Sequence, residues 1–338
     1  MPQFFHTYLK VAGTKTFRLA ATKLLGTTEE DGYGGNGQNV PDESRRCIIP
    51  SHPDWSFVQA DLEGAEAVAV ALLVGEGQFR DLIRFGIKPH CFLCIHLFPE
   101  LFYEFFGPGF NYAELTPRAL HEHPQGAAAI AKSKKLKREY DLAKRTVHGY
   151  NYGMGWSTHR DSVLKGTRGV VVLSAAEAKR QLETPNRLFP EIKAMQQEVE
   201  RWVRAGEPVY NLFGERALFI GRITSHLVRT VISWRPQSTV GQCTNIAYCN
   251  MQDEVEAGAL RANLLDPVHD SILGECPDEE VTALVASMRR NMTYTFKSPI
   301  DGWTATIGVE VQVGKNWGKW NETENPNGLR VLKAGSSI

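Results

Sequence analysis

Asp270 stands in the middle of a short apolar run, Pro267-Val268-His269-Asp270-Ser271-Ile272-Leu273. A carboxylate among apolar neighbours is costly unless something positive meets it. Pro267 and Gly274-Glu275-Cys276-Pro277 bound the run, so it reads as a tight hairpin with His269 and Asp270 at its tip. A second acid, Asp61, ends another apolar run, Trp55-Ser56-Phe57-Val58-Gln59-Ala60-Asp61. Two strand-end carboxylates far apart in sequence fit one divalent-cation site assembled by folding. Mg²⁺ accepts such a pair because it takes carboxylate and phosphate oxygens rather than a full protein cage. Two ions there could serve phosphoryl transfer, one activating the attacking oxygen and one steadying the leaving group. The same residues also fit a plainer reading, two unrelated turn or capping aspartates.

A second group of residues has helical spacing. Tyr140, Lys144, His148 and Tyr152 are four apart and share one face. That face offers a cation for a phosphate and flat rings for a base. An aromatic core stripe with a snorkelling lysine has the same spacing. Gly149 and Gly153 each cost a helix interior about 1 kcal/mol, which makes sense where a backbone or a base comes close.

The elements that must position these residues are mixed. Strand patterns cover 55–61, 209–222 and 303–313, with the hairpin over 267–275. Helical patterns cover 63–75, 89–106, 128–152, 175–205, 237–264 and 278–291. Residues 23–46 and 108–124 read as loops. Helices and strands do not strictly alternate, so the fold class is α+β.

The chain has 338 residues, 42% of them hydrophobic, and 38 basic residues balance 38 acidic ones. Net charge therefore announces no nucleic acid, and a basic surface must be local; Lys132, Lys134, Lys135, Lys137, Arg138, Lys144 and Arg145 supply one candidate. No apolar stretch approaches a membrane span, and the N-terminus lacks a signal-peptide pattern. Six scattered cysteines suit a reducing compartment. Cys91, Cys94 and His96 have a metal-like spacing, but no second knuckle accompanies them, and their apolar neighbours read as a buried helix.

The ordered set of motifs resembles the A-family DNA polymerases, the family of bacterial DNA polymerase I and many phage replicative enzymes. Asp61-Leu62-Glu63-Gly64-Ala65-Glu66 resembles motif A, Lys144 to Gly153 motif B, and Val268-His269-Asp270-Ser271 motif C. Arg18-Leu19-Ala20-Ala21, Gln38-Asn39-Val40-Pro41, Arg229 with Gln237-Ser238-Thr239, and Val309-Glu310-Val311 with Asn316-Trp317 are similar to smaller family motifs in the same order.

The resemblance implies a right-hand architecture, an antiparallel-sheet palm with helical fingers. Residues 1–75 would form the first part of the palm, 76–205 the fingers with the motif-B helix over 128–153, and 206–338 the second part of the palm. It implies a DNA-templated DNA polymerase adding dNTPs to a primer 3′-OH. Asp61, Asp270 and the Leu62 carbonyl would hold two Mg²⁺, with Mn²⁺ as an alternative ion. Lys144 would act on the triphosphate, which His90 and Arg138 would also contact. His148 would lie against the sugar and base, Tyr152 would close the nascent pair, and Glu66 would crowd a ribose 2′-OH. Arg18, Gln38, Asn39, Arg229, Gln237, His269 and Gly153 would track primer–template DNA. The implied location is the cytoplasm, the host's if phage-encoded.

The departures carry expectations of their own. Tyr140 replaces a family Arg, so its phosphate contact is lost or passes to Arg138 or Lys137. His148 replaces Phe or Tyr, Ser271 replaces Glu, and Glu63 replaces Ser. The stretch from Asp61 to Lys144 is long, which places an insertion near 107–130. Only seventeen residues precede Arg18, so the chain is expected to be either a natural split product, whose partner chain supplies a thumb, a 3′–5′ exonuclease or both, or an excised fragment; without a thumb, duplex grip should be weak. Two other functions are compatible: a single-subunit RNA polymerase, against which Glu66 stands, and a non-catalytic module that binds a partner or DNA, which Tyr140 and Ser271 motivate.

Overall fold

The apolar run that ends at Asp61 becomes the central strand of a sheet. The structure, a computed structural model, describes residues 8–10, 16, 20–22, 40–217, 219 and 221–332. Arg18, Gln38 and Asn39 lie outside the described residues. The chain divides into two units: residues 1–65, 237–296 and 305–338 in the first, and 66–236 with 297–304 in the second. The architecture is helical with an antiparallel sheet, the α+β class that the sequence implies.

The first unit is built on five strands: β1 (Trp55–Leu62), β2 (Asn263–Val268), β3 (Ser271–Pro277), β4 (Val309–Gly314) and β5 (Arg330–Val331). Their order is β5-β4-β1-β3-β2, antiparallel throughout. Every residue of β3 is buried, as expected of a strand covered on both faces. The helix Val281–Met292 packs on β1, β3 and β4, burying Leu284, Val285, Met288 and Met292. Phe57, Leu273, Trp317 and Leu329 form a further apolar cluster.

The second unit is mostly helical: α1 (Ala65–Leu73), α2 (Gln78–Arg84), α3 (Pro89–Leu97), α4 (Gly126–Lys135), α5 (Lys137–Asn151), α6 (Trp156–Gly166), α7 (Ala175–Leu188) and α8 (Pro190–Ala205). Helix α3 packs on α4, α5 and α7. It buries Cys91 and Cys94 completely, so these cysteines are core residues. A capping box of Ser174 and Glu177 starts α7. Arg80 is fully buried. It donates to the carbonyls of Ala71 and Val74 and pairs with Asp301, holding the end of α1 and the 297–304 segment to α2.

Three expected helices are shorter than the sequence pattern. The pattern over 128–152 breaks at Leu136 (φ −79°, ψ 71°). Lys134 and Arg138 would sit one turn apart in a continuous helix, where like charges repel. The pattern over 175–205 breaks at Phe189, and that over 89–106 at Phe98. Each precedes a proline, which disfavours helical backbone in the residue before it. The helix expected over 237–264 instead spans Ser225–Glu256 and ends before Gly258, whose φ is +71°. The loop expected over 108–124 contains a short helix, Pro117–Glu122, capped by Thr116. Among the described residues, no helix is long and apolar enough to cross a membrane.

Candidate active site

In the first unit the sheet brings the two acids together. The turn between β2 and β3 has only His269 and Asp270 between the paired residues Val268 and Ser271. His269 takes a positive φ of 58°, an uncommon conformation for a residue with a Cβ. Thr244 Oγ1 donates to the His269 carbonyl at 3.4 Å. The Leu62 N–H donates to the Asp270 carbonyl at 2.9 Å, which locks the hairpin tip to the end of β1.

Asp61 is flanked across the sheet by Ser271 on β3 and Glu310 on β4. Gln59 Nε2 donates to both of its carboxylate oxygens, at 3.1 and 3.3 Å. The Trp317 indole N–H donates to Gln59 Oε1 at 2.8 Å and so fixes which way that amide points. Burial pushes the Asp61 carboxyl up to about 6; Asp270 and Glu310 add to the rise, while hydrogen bonds from Gln59 and Ser271 oppose it.

A cation beside Asp61 would relieve this desolvation and repulsion. The all-oxygen donors suit a hard ion such as Mg²⁺. Among the described residues, no group of three or more His, Cys, Asp or Glu is placed to hold a metal. Mg²⁺ takes few protein ligands where substrate and water oxygens fill the rest.

The second unit carries the other group. Leu142, Ala143, Thr146, Val147 and Tyr150 form the buried side of α5, whereas Lys144 and His148 are exposed. The stripe of Tyr140, Lys144 and His148 is therefore not the core stripe. Tyr152 caps the helix, and its hydroxyl donates to Glu66 Oε2 at 2.7 Å. His148 Nδ1 lies 3.4 Å from the same oxygen, and its ring meets Tyr152 edge to face with centroids 4.8 Å apart. Arg138 is exposed at the start of α5. His90, in the first turn of α3, lies 2.7 Å through Nε2 from the Tyr140 hydroxyl.

The two glycines of this segment differ from the sequence reading. Gly149 is helical, but a Cβ there would meet Met154 Sδ at 2.8 Å, so a side chain makes the close approach. Gly153 lies beyond the helix with φ +71°, a turn position rather than a helix interior. A Cβ on Gly153 would come within 3.6 Å of Arg229 Cγ. Gln237, in the first unit, is half-buried.

Sequence reasoning passed over several residues that shape these groups. Gln59 lies two positions before Asp61, on the same face of a strand, which is a period-two signal available in the sequence. Gln196 Nε2 donates to the Tyr150 and Asn151 carbonyls at 2.6 and 3.3 Å, satisfying the end of α5. That contact spans 45 positions and has no local signature.

The fold has a close counterpart. The polymerase (POL) domain of Pol1 from M. smegmatis, solved in complex with DNA primer-template and dNTP, matches with a TM-score of 0.64 at 18% identity, over 92% of this chain and 48% of that one. The chain thus has the fold of a polymerase domain. The family model for DNA polymerase family A matches residues 123–319, and the chain belongs to that family, in its palm and fingers region. DNA polymerase I of Chloroflexus aurantiacus is 22% identical over 326 residues, 92% of this chain and 29% of the relative. DNA polymerase theta of Caenorhabditis elegans is 21% identical over 185 residues, 52% of this chain and 10% of the relative. The chain spans less than a third of either curated relative.

Proposed function

We propose that this chain catalyses DNA-templated addition of dNTPs to a primer 3′-OH. Residues 1–75 and 206–338 would act as palm and residues 76–205 as fingers. The observation that carries the reading is the Leu62–Asp270 backbone bond, which holds the two motif acids at neighbouring strand ends. Asp61, Asp270 and the Leu62 carbonyl would hold Mg²⁺, which when bound supplies charge neutralisation at the attacking and leaving oxygens. The primer oxygen attacks the α-phosphate and pyrophosphate leaves.

The residues of the second unit serve the incoming nucleotide. Lys144 is an exposed point charge suited to the triphosphate, with His90 and Arg138 as further contacts. Tyr152 and His148 offer ring faces to base and sugar. The Tyr152–Glu66 bond holds the Glu66 carboxylate still, so its bulk can exclude a ribose 2′-OH; this favours a DNA rather than an RNA polymerase. His269, Arg229, Gln237 and Gly153, with Arg18, Gln38 and Asn39, would contact primer–template DNA without reading sequence.

The test is primer extension by Asp61→Asn and Asp270→Asn, with circular dichroism as the folding control. Both should lose extension by at least about a thousandfold, the scale expected when an essential group of a unit is removed. Extension retained in either variant overturns the metal assignment.

A further inference from the structure

Tyr140 and His90 form a pair that ties α5 to α3. The Tyr140 hydroxyl lies 2.7 Å from His90 Nε2, and the rings meet edge to face with centroids 4.7 Å apart. Burial pushes His90 down to about 4, and Lys88, Lys144 and Lys134 act in the same direction. Burial raises the Tyr140 phenol, with smaller contributions from Cys91 and Asp141, so it keeps its proton. At neutral pH the phenol donates to the free Nε2 lone pair of a neutral imidazole. The ring proton then sits on Nδ1.

The charges that act on His90 are basic. Lys88 precedes α3, Lys134 lies in the last turn of α4, and Lys144 lies one turn beyond Tyr140 on α5. Helix α3 packs against both α4 and α5, which brings the three elements to one place. All three lysines are exposed, and among the described residues none pairs with an acid. Three uncompensated ammonium groups around a neutral hydrogen-bond donor favour a multiply charged anion. The nearby acids Glu139 and Asp141 act on Cys94 and Tyr140 rather than on His90.

We propose that Lys88 and Lys134 join Lys144 and His90 to bind the polyphosphate of a nucleoside triphosphate, with Tyr140 as the positioning residue for His90. The proposal rests on the nucleotide reading above and deepens it. With Tyr140 in place of a cation, Lys88 and Lys134 add charge to that of Lys144 and Arg138. Lysines suit the task because each is a compact charge on a flexible stem and can follow a phosphate chain.

The test uses the full chain in two assays. Inorganic tripolyphosphate is titrated calorimetrically into wild type, Lys88→Ala, Lys134→Ala and the double variant, without DNA. Each single change should weaken binding about 3- to 10-fold, and the double about 10- to 100-fold. In primer extension the KM for dNTP should rise by similar factors, with kcat kept within about twofold. Lys88→Arg and Lys134→Arg should bind like wild type.

For Tyr140→Phe, the ¹⁵N ring shifts of His90 should lose the single Nδ1–H tautomer, and the KM for dNTP should rise while kcat holds. Absence of tripolyphosphate binding by wild type, unchanged binding by the double variant, or an unchanged His90 signature in Tyr140→Phe overturns the proposal. Failure of the polymerase reading appears separately, as no primer extension by the wild-type chain.

Discussion

Ser271 stands directly across the sheet from Asp61 and hydrogen-bonds to its carboxylate. Motif C elsewhere in the family has a glutamate at this position. Here a buried hydroxyl takes its place, and the position supports the Asp61 carboxylate instead of adding a charge. Removing the hydroxyl should therefore raise the Asp61 pKa above about 6. Ser271→Ala is expected to move the acid limb of the primer-extension pH profile upward, measured at fixed, saturating Mg²⁺. A profile identical to wild type removes Ser271 from this role.

The raised Asp61 pKa also predicts a stability effect. Its folded value, about 6, exceeds the ordinary 3.8, so the folded state binds the proton more tightly than the unfolded chain. As pH rises from about 4 to about 6, the fold loses stability, and above that range the penalty is complete. The loss is at most about 3 kcal/mol, because each tenfold difference in proton affinity between the two states is worth about 1.4 kcal/mol. Asp61→Asn keeps the shape and removes the charge. In chelator at pH 8 it should melt higher than wild type, and the difference should shrink toward pH 4. Equal melting temperatures at pH 8 would show that Asp61 carries no such burden.

How much of this was legible in the sequence depends on the range of each contact. Asp61 and Asp270 each ended or interrupted an apolar run, so their strand ends could be read locally. The side of α5 that faces the core could not be settled from Tyr140, Lys144 and His148 alone. The deciding residues were the intervening Leu142, Thr146 and Val147, whose burial depends on α3 and α7. The His90–Tyr140 bond joins residues fifty positions apart, with no motif that pairs them. Helix ends were misjudged where Phe98 and Phe189 continued a periodic pattern into a proline; there the backbone rule outweighed the pattern.

Tyr152 and Glu66 should set sugar selectivity together. Tyr152→Phe deletes the donor at 2.7 Å while keeping the ring. The ratio of dNTP to rNTP incorporation should fall by about tenfold, the equivalent of one hydrogen bond of roughly 1.4 kcal/mol. Glu66→Ala should lower it further, because the obstructing side chain itself is gone. Competitive single-nucleotide incorporation measures both. A ratio unchanged in Glu66→Ala would exclude Glu66 as the residue that rejects the 2′-OH.

Arg80 should be the most damaging structural site in the second unit. It is fully buried, and its guanidinium satisfies two backbone carbonyls and Asp301. Arg80→Met keeps the bulk of the stem but leaves those carbonyls and the carboxylate without their donor. The expected cost is about 3 to 5 kcal/mol, read as a shift in urea midpoint. Asp301→Asn should cost far less, because its side chain is more than one-third exposed and water replaces the lost charge interaction. If the two variants shift the midpoint equally, the Arg80–Asp301 pair, and not the carbonyl contacts, holds the segment.

Gly149 and Met154 offer a test of close packing at the end of the motif-B helix. A Cβ at position 149 would meet Met154 Sδ at 2.8 Å and Cε at 3.0 Å. The obstacle is a flexible side chain, so it can move, but it must leave a packed position. In isolation Gly→Ala in a helix gains about 1 kcal/mol; here the clash should cancel that gain or reverse it. Met154→Ala removes Sδ and Cε and leaves only Cβ, at 3.3 Å, and in that background Gly149→Ala should become stabilising, by up to about 1 kcal/mol. The coupling energy of this double-mutant cycle, obtained from urea denaturation, should therefore be favourable by about 1 kcal/mol or more, as expected for residues in contact. Additive effects would mean that Met154 does not rest on Gly149, and that the glycine serves the helix for another reason.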